Sequence, residues 1–438
     1  MSSSEQQPVA PAASQRPASV STAQDPEIRL GIIHTEVRRP VAAVLTLLFL
    51  LAIYAVPLGQ AYLEHTREEP PFVLELFKRA PTPDNLRKFE EDLEQNSDAK
   101  SYVQPRVQAA LTRYGRVGNK KAVIGHAGFL YYVPGVSYLS GPGFLQPGQL
   151  AGRERAAREA SQEPLHPDPR PAIYAFQSAL ARRNIALVLF PAPDKAMLEP
   201  SRLHARSHGP EVPRNRDWSR FAGEMRAHGV TLFDAAPERL VPGEPARYLT
   251  QDTHWTPEFM RASAEGLAAL LKARVALPPL AVAPRYTRVS EPVARVGDIT
   301  DMLKLPEEQT LFSAQRVMID VVKDADGKPW ESDPAADVLL LGDSFTNIYS
   351  LEYMGWGGSA GLAAQLAVAL GRPIDVIAQN DSGAFATRVA LSQELAADPT
   401  RLAGKRVVIW EFAVRELAVG DWKPVTWEAA PAAPGGSP

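Results

Sequence analysis

Two short motifs in this sequence carry the residue types of an acyl-transfer site. Asp252-Thr253-His254 places a carboxylate two residues before an imidazole, and Ser344 follows an apolar run and a Gly-Asp pair. A serine hydroxyl becomes a good nucleophile when a base takes its proton, and a carboxylate orients a histidine for that task. The sequence therefore offers Ser344 as the nucleophile, His254 as the base and Asp252 as the orienting acid.

Each motif also has a plainer explanation. Gly-Asp-Ser is ordinary turn chemistry, and most single histidines are surface or packing residues. The chain has eight histidines, but only His254 has a carboxylate two residues before it and an aromatic residue directly after it. The two motifs together, each beside a predicted strand, favour a catalytic site over two unrelated turns.

The residues around both motifs predict how the motifs are held. Residues 338–341 form a continuous apolar run typical of a buried strand, so the serine lies where a strand gives way to a turn. In an extended segment, side chains at i and i+2 project to the same face, which suits Asp252 serving His254. Thr256 is expected to cap a helix that begins with Pro257.

Apolar strands alternate with helical segments in the body of the chain. This pattern predicts an α/β domain with a mainly parallel sheet flanked by helices, and ligands gather at the carboxyl ends of such strands. At or just beyond strand ends lie Ser344, Asp194, Lys195, Asn380 and Glu411, of which Lys195 is expected to hold its loop. Predicted strands are 185–190, 230–233, 338–341, 374–378 and 406–412; helices are 171–183, 218–228, 257–274 and 360–370; a β-hairpin covers 121–132, and 275–335 is an irregular insertion.

The first part of the chain differs in composition from the rest. Residues 1–28 are rich in Ser, Gln, Pro and Ala and are predicted to be a disordered tail. The uncharged stretch 41–58 is about the length that crosses a membrane. A cleaved signal peptide and a buried helix are the alternatives, but the long preceding tail and the lack of a polar stripe argue against them. We expect linker helices over 59–118, the folded domain over 119–421 and a flexible tail over 422–438.

Charges on either side of the apolar stretch predict its orientation. Positive residues remain on the cytoplasmic side of a membrane. The tail is therefore expected in the cytoplasm and the domain outside the inner membrane, which is the periplasm in a Gram-negative cell. The residues concerned are Arg29, Arg38 and Arg39 before the stretch and Glu64, Glu68 and Glu69 after it.

Composition narrows the possible chemistry. The net charge of −3 gives no indication of nucleic-acid binding, and the absence of cysteine excludes disulfides, thiolate metal sites and a cysteine nucleophile. The sequence has no HExxH or similar ligand spacing, so neither a metal nor another cofactor is expected.

Six short segments, in this order, resemble the alginate O-acetyltransferase AlgJ/AlgX family, whose catalytic domain is SGNH-hydrolase-like. They are 128–131 (GFLY), 191–195 (PAPDK), 252–255 (DTHW), 297–299 (GDI), 342–345 (GDSF) and 408–412 (VIWEF) with Arg415. The resemblance implies that Ser344 carries an acetyl group and passes it to a sugar hydroxyl of an exported polysaccharide, with His254 and Asp252 as base and acid. Asp-Thr-His precedes the serine here, as in this family, whereas ordinary SGNH hydrolases have the reverse order.

In AlgX a carbohydrate-binding domain follows the catalytic domain, and no such domain is expected in this chain. Together with the predicted membrane anchor, this makes the chain resemble the AlgJ branch. In that branch the resemblance implies an acetyl donor supplied by a multi-spanning membrane O-acyltransferase. The polymer, alginate or another exopolysaccharide, stays open.

Residues that could stabilise a developing oxyanion are less well marked. The backbone N–H of Ser344 is the first candidate, and Gly357 or Gly358 would permit a close backbone approach. The side-chain amide of Asn380 is a further candidate. A plain flexible turn explains the two glycines equally well.

Four larger side chains are candidates for substrate contacts. Arg388 and Arg415 could bind a uronate carboxylate, although such arginines more often form structural ion pairs. Trp255 and Trp356 could stack on sugar rings, although packing is the commoner fate of tryptophan.

Three functions agree with these residues. The first is an O-acetyltransferase that acts on an exopolysaccharide, and the second is a carbohydrate acetylesterase, in which water replaces the sugar. The third is a non-catalytic polysaccharide-assembly subunit with a relic site. The complete Asp-His-Ser set argues against the third.

Overall fold

The computed structural model describes residues 38–160, 163–207, 209–383 and 385–427. The predicted tail over 1–28 and residues 428–438 lie outside these ranges. The chain forms two compact units, residues 1–103 and residues 104–438.

The first unit contains the apolar stretch that the sequence singled out. Among the described residues, one helix is long and apolar enough to cross a membrane, α1 (Arg39–Thr66). Its apolar side chains, such as those of Leu48 and Phe49, are exposed. A 3₁₀ helix (Phe72–Lys78) and helix α2 (Pro83–Asn96) follow, and the rings of Phe72 and Phe89 stack with centroids 5.9 Å apart.

Helix α3 (Asp98–Ala110) leads into the second unit and ends in a short π-helical turn (Leu111–Gly115). The strands of the second unit come next in the chain. They are β1 (Ala122–Ile124), β2 (Leu130–Tyr132), β3 (Ala186–Ala192), β4 (Thr231–Leu232), β5 (Thr287–Arg295), β6 (Gln315–Lys323), β7 (Val338–Gly342), β8 (Asp375–Ala378) and β9 (Val407–Ala413).

Five of these strands form one parallel sheet in the order β4-β3-β9-β7-β8. Strands β7 and β9 are buried along their whole length, and both lie inside the sheet with a strand on each side. Apart from Glu411 on β9, their side chains are apolar. Each large aliphatic side chain buried there contributes about 1.5–3 kcal/mol. The prediction of a parallel α/β sheet flanked by helices is confirmed.

Helices connect and flank the strands. The rings of Phe176 and Trp410 meet edge to face at 5.6 Å, which packs one helix against β9. The helices are α4 (Val133–Ser140), α5 (Pro147–Glu159), α6 (Pro169–Ala181), α7 (Lys195–Leu198), α8 (Pro200–Leu203), α9 (Trp218–Ala227), α10 (Pro257–Arg274), α11 (Asp298–Met302), α12 (Ser344–Asn347), α13 (Leu362–Leu370), α14 (Ala386–Ala397) and α15 (Glu416–Val419), with a 3₁₀ turn at Glu352–Met354.

The insertion over 275–335 is more regular than its sequence indicates. Strands β5 and β6 form a nine-residue antiparallel ribbon that pairs Thr287 with Lys323 and Arg295 with Gln315. Most of β5 is exposed, and Pro292 lies within it, so the strand lacks the apolar alternation by which sequence patterns reveal strands. The predicted hairpin over 121–132 is present as β1 and β2.

Residues 422–427, which the sequence assigns to a flexible tail, pack against the folded domain. Trp422 and Trp427 are only 2% and 7% exposed. Trp422 packs against Trp410, and Trp427 stacks on Phe176 with ring centroids 4.3 Å apart. Residues 422–427 are therefore part of the folded domain, because two large rings cover its core.

Candidate active site

The structure brings Ser344 and His254 together at the carboxyl edge of the sheet. Ser344 begins α12 directly after β7 and is half-buried. Its Oγ lies 2.8 Å from Nε2 of His254, although the two residues are 90 positions apart in sequence. This is the distance at which an imidazole can take a hydroxyl proton.

Asp252 lies on the other side of the imidazole. Its Oδ1 lies 2.6 Å from Nδ1 of His254, and Asp252 and His254 are 2% and 3% exposed. With Nδ1 held by the carboxylate, Nε2 faces the serine as an acceptor. The three residues singled out from the sequence thus form one hydrogen-bonded chain.

The segment around Asp252 and His254 is a turn, and the predicted extended conformation is wrong. Residues 250–254 are bends, and Oδ1 of Asp252 also accepts the backbone N–H of His254 at 3.1 Å. Aspartate commonly bonds the backbone two residues on, and this turn places the carboxylate beside the ring just as an extended strand would. Thr256 caps α10 through the N–H of Phe259, as the sequence predicts.

The turn that carries Ser344 is held by two buried carboxyl groups. Asp343 accepts the N–H of Phe345 at 2.8 Å and the N–H of Ala413 at 2.7 Å, which ties the turn to the end of β9. Glu411 on β9 accepts the N–H of Asp343 at 3.0 Å and the hydroxyl of Thr346 at 2.8 Å. Burial and the charge of Asp343 raise the pKa of Glu411 well above its usual range.

Burial and the neighbouring carboxylate determine the pKa of His254, the candidate base. Burial lowers its pKa, but the hydrogen bond and charge of Asp252 outweigh burial, so the pKa of His254 is raised above 6.5. Burial raises the pKa of Asp252, yet the bond from His254 and further donors bring it down to about 2. The carboxylate is therefore ionised at neutral pH and stabilises the imidazolium.

Lys195 holds the loop that carries these two residues. Its Nζ donates to the carbonyl of Thr250 at 2.8 Å and to the carbonyl of Asp252 at 3.0 Å. The side chain is 2% exposed, and burial lowers its pKa to about 7. The sequence predicts that Lys195 holds the loop after its own strand, whereas these contacts hold the loop of Asp252.

Asp252, His254 and Asp298 are close enough to resemble a metal site, with ligand atoms within 4.8 Å of one another. The oxygens of Asp252 are already occupied: Oδ1 faces two donors of His254, and Oδ2 accepts the N–H of Asp298 and Nε1 of Trp356 at 3.1 and 3.0 Å. These four bonds use the acceptor positions that a cation would need. The cluster is thus a hydrogen-bonded array.

The oxyanion candidates have different surroundings. The Ser344 N–H has no acceptor among the described residues. A side chain at Gly357 would overlap Ile319, and a side chain at Gly358 would press against Glu352. The amide of Asn380 donates to the Tyr353 hydroxyl at 2.6 Å, and its oxygen accepts from Asn347 at the end of α12. The oxyanion role of Gly357, Gly358 and Asn380 stays a prediction.

For three of the four candidate substrate side chains, the structure favours the packing or structural alternative. Trp255, Trp356 and Arg388 are all 1% exposed or less, so none presents a surface to a sugar. Trp255 packs edge to face on Phe345 at 5.1 Å, and Trp356 donates to Asp252. Arg388 lies over the ring of Trp410 and donates to the carbonyl of Lys423, so it is structural.

Arg415 lies near the nucleophile in an ion pair. Its Nη1 is 3.2 Å from Oδ2 of Asp194, and its guanidinium lies over the ring of Phe345 at 5.6 Å. The side chain is 12% exposed. The structural alternative, an ion pair, therefore describes its present contacts.

Sequence reasoning did not identify the contacts that hold the segments of Asp252 and Ser344 in place. Trp356 and Asp298 bond to the segment of Asp252 from 104 and 46 positions away, and Glu411 bonds to the serine turn from 68 positions away. No local spacing encodes such contacts. The available signal was the position of GDI and VIWEF among the family-like segments.

A parallel sheet with flanking helices and a serine, a histidine and a carboxylate at its carboxyl edge is the arrangement of SGNH-hydrolase-like proteins. The family described as "SGNH hydrolase-like domain, acetyltransferase AlgX" matches residues 151–414, more than half of the chain. The chain therefore belongs to this family of acetyltransferases.

Three solved structures are similar to this chain. The O-acetyltransferase domain of Pseudomonas putida AlgJ is 20% identical, with a TM-score of 0.49 over 68% of this chain and 93% of that one. Pseudomonas aeruginosa AlgX is 18% identical, with a TM-score of 0.47 over 70% of this chain and 65% of that one. Bacillus cereus PatB1 is 11% identical, with a TM-score of 0.36 over 68% and 97%. Comparison with curated protein sequences returned no match.

Proposed function

We propose that this protein transfers an acetyl group through an acyl-serine intermediate on Ser344 to a sugar hydroxyl of an exported polysaccharide. The observation that carries the proposal is the chain of hydrogen bonds from Asp252 through His254 to Ser344, at 2.6 and 2.8 Å. Membership of an acetyltransferase family supports acetyl as the group transferred.

The first half-reaction follows from the positions of these atoms. Oγ of Ser344 attacks the acetyl carbonyl carbon while its proton moves to Nε2 of His254. The tetrahedral intermediate then collapses, the bond to the donor breaks, and the donor leaves with that proton. The negative charge of Asp252 stabilises the imidazolium that exists between these steps.

The second half-reaction repeats the first with a sugar hydroxyl as nucleophile. The hydroxyl gives its proton to Nε2 of His254 and attacks the acyl-serine, and the serine leaves with the same proton. The Ser344 N–H, at the start of α12, is our proposed donor to the oxyanion in both halves, since it bonds no acceptor in the part of the chain that the structure describes.

We further propose that α1 anchors the protein in the inner membrane with the second unit in the periplasm. The length and apolar surface of α1 support an anchor, and the flanking charges support this orientation. A multi-spanning membrane O-acyltransferase is the proposed acetyl donor, because a polysaccharide outside the membrane needs acetyl groups delivered across it.

The test compares sugar and water as acceptors. The full-length protein in detergent is given p-nitrophenyl acetate with and without uronate and neutral oligosaccharides, and acetylated sugar and free acetate are both measured. We expect acetylated oligosaccharide from wild type and none above background from Ser344→Ala. Acetate release without any sugar ester would instead identify an acetylesterase, and equal sugar acetylation by Ser344→Ala would contradict the proposal.

A further inference from the structure

A second carboxylate, Asp298, is built against the segment that carries the acid and the base. It comes from the insertion over 275–335, at the first position of the short helix α11, directly after Gly297. Asp298 and Thr253 lie beside the serine-histidine-aspartate chain without belonging to it.

The carboxylate of Asp298 accepts two hydrogen bonds from Thr253. Its Oδ1 accepts the backbone N–H of Thr253 at 2.7 Å, and its Oδ2 accepts the hydroxyl of Thr253 at 2.6 Å. The same hydroxyl oxygen lies 3.0 Å from Nδ1 of His254. One threonine therefore links the carboxylate of Asp298 to the imidazole.

The backbone around Asp298 makes further bonds to the same segment. The N–H of Asp298 donates to Oδ2 of Asp252 at 3.1 Å, and the N–H of Ile299 donates to the carbonyl of Gln251 at 3.1 Å. A Cβ at Gly297 would overlap the backbone of Gln251 and Asp252, so only glycine permits this approach. Residues 297–299 and 251–253 are therefore in contact through both side chains and backbone.

We propose that Asp298 is a positioning residue of the acyl-transfer site, which fixes the turn of Asp252 and His254 and places a second negative charge beside the imidazole. As a role in acyl transfer, this inference rests on the proposed function. It does not require Asp298 to touch the substrate.

The charges around His254 and Asp298 determine how the pKa of His254 is expected to change when Asp298 is replaced. His254 is affected by Asp252, Asp298 and Arg415, and Asp298 is affected by Asp252 and His254, with Lys195 behind them. Burial and the charge of Asp252 raise the pKa of Asp298 to about 6, and the charge of Asp298 raises the pKa of His254. Loss of the charge of Asp298, or loosening of the turn that holds Asp252 against the ring, is expected to lower the pKa of His254, because both carboxylates raise it.

The experiment compares Asp298→Asn with Asp301→Asn in the full-length protein in detergent. Asp301 lies on the same short helix, but its side chain is 72% exposed. The titration of His254 is followed by NMR of ¹⁵N-histidine protein, with its signal identified from His254→Gln, and Ser344 acylation by p-nitrophenyl acetate is followed by intact mass.

We expect Asp298→Asn to lower the titration midpoint of His254 and to slow acylation at least about tenfold, while Asp301→Asn matches wild type in both. A folded Asp298→Asn protein with the wild-type midpoint would overturn the inference, whether or not acylation slows. If Asp298→Asn does not fold, Thr253→Val is compared with Thr253→Ser, and a lower midpoint is expected for the valine alone. Equal midpoints in that pair would overturn the inference as well.

The two hypotheses fail in different ways. If wild type forms no acyl-serine at all, the proposed function fails, but the midpoint of His254 still shows whether Asp298 controls the imidazole. If wild type is acylated and the midpoint does not move, the role of Asp298 fails and the proposed function stands.

Discussion

His254 has one nitrogen 2.6 Å from a buried carboxylate and the other 2.8 Å from a serine hydroxyl. This arrangement makes the imidazole a base only while it is neutral. The raised pKa of His254 therefore determines where the site works on the pH scale, and Asp252 is the main cause of the increase.

The rate of Ser344 acylation is expected to fall as the pH decreases through the raised pKa of His254, because the protonated ring cannot accept the hydroxyl proton. The pH dependence of acylation by p-nitrophenyl acetate, followed by intact mass between about pH 5 and 9, measures this. His254→Gln serves as the control for direct reaction of the ester with the serine. A wild-type rate that does not change across this range would contradict the assignment of His254 as base.

Lys195→Met is expected to slow acylation about 10- to 100-fold, since the loop of Asp252 loses two hydrogen bonds and a small displacement of the base is costly. Lys272→Met is the matched control, because Lys272 also donates to a backbone carbonyl, that of Ala369, but at the protein surface. Both rates come from the same intact-mass time course. Equal rates for the two variants would show that Lys195 has no part in positioning the site.

At the scale of elements, the sequence was informative where one residue pattern decides the outcome. β7 is a continuous apolar run, β9 is apolar apart from Glu411, and α10 starts at Pro257 after the cap Thr256, so local rules sufficed. The β5–β6 ribbon escaped prediction because its strands are largely exposed and one contains Pro292. The proposed role of Asp298 escaped prediction for a different reason, because its contacts with Thr253 are 45 positions away in sequence.

The C-terminal segment is an element that composition alone misrepresents. Its prolines and small residues indicated a flexible tail, yet two tryptophans tie residues 422–427 to the core. Nε1 of Trp422 donates to the carbonyl of Glu416 at 3.1 Å, and its ring meets Phe412 at 5.3 Å. The segment closes over β9, the strand that also carries Glu411 beneath the nucleophile turn.

Trp422→Ala is expected to lower the free energy of unfolding by about 3–5 kcal/mol, because a large buried ring is removed and leaves a cavity. Thermal or urea unfolding of the full-length protein in detergent measures the change. Tyr114→Ala is the control, since that ring is 83% exposed and its loss should cost about 0.5 kcal/mol or less. A Trp422→Ala protein as stable as the control would mean that residues 422–427 do not support the core.

In the whole molecule, the two units differ in where their apolar side chains lie. α1 exposes large apolar side chains, whereas the second unit buries its apolar residues around the parallel sheet. The proposed membrane anchor accounts for the exposed apolar surface of α1.

Arginine at both Leu48 and Leu51 is expected to release the protein from membranes, because each charge at the centre of a span costs about 2.5–3.5 kcal/mol. Leu74→Arg is the control, since Leu74 is also exposed but lies in the 3₁₀ helix outside α1. Carbonate extraction of isolated membranes followed by immunoblotting distinguishes the two. Retention of the double variant in the carbonate-resistant fraction would contradict the anchor.

We propose that Ser344 carries the acetyl group between donor and sugar. The most direct measurement is intact mass of the full-length protein after a short exposure to p-nitrophenyl acetate, followed by peptide mapping and a chase with oligosaccharide. We predict a single acetyl adduct on Ser344 that the sugar removes faster than buffer does, with the acetyl group recovered on the sugar. An adduct elsewhere, or the same adduct in Ser344→Ala, would contradict the account.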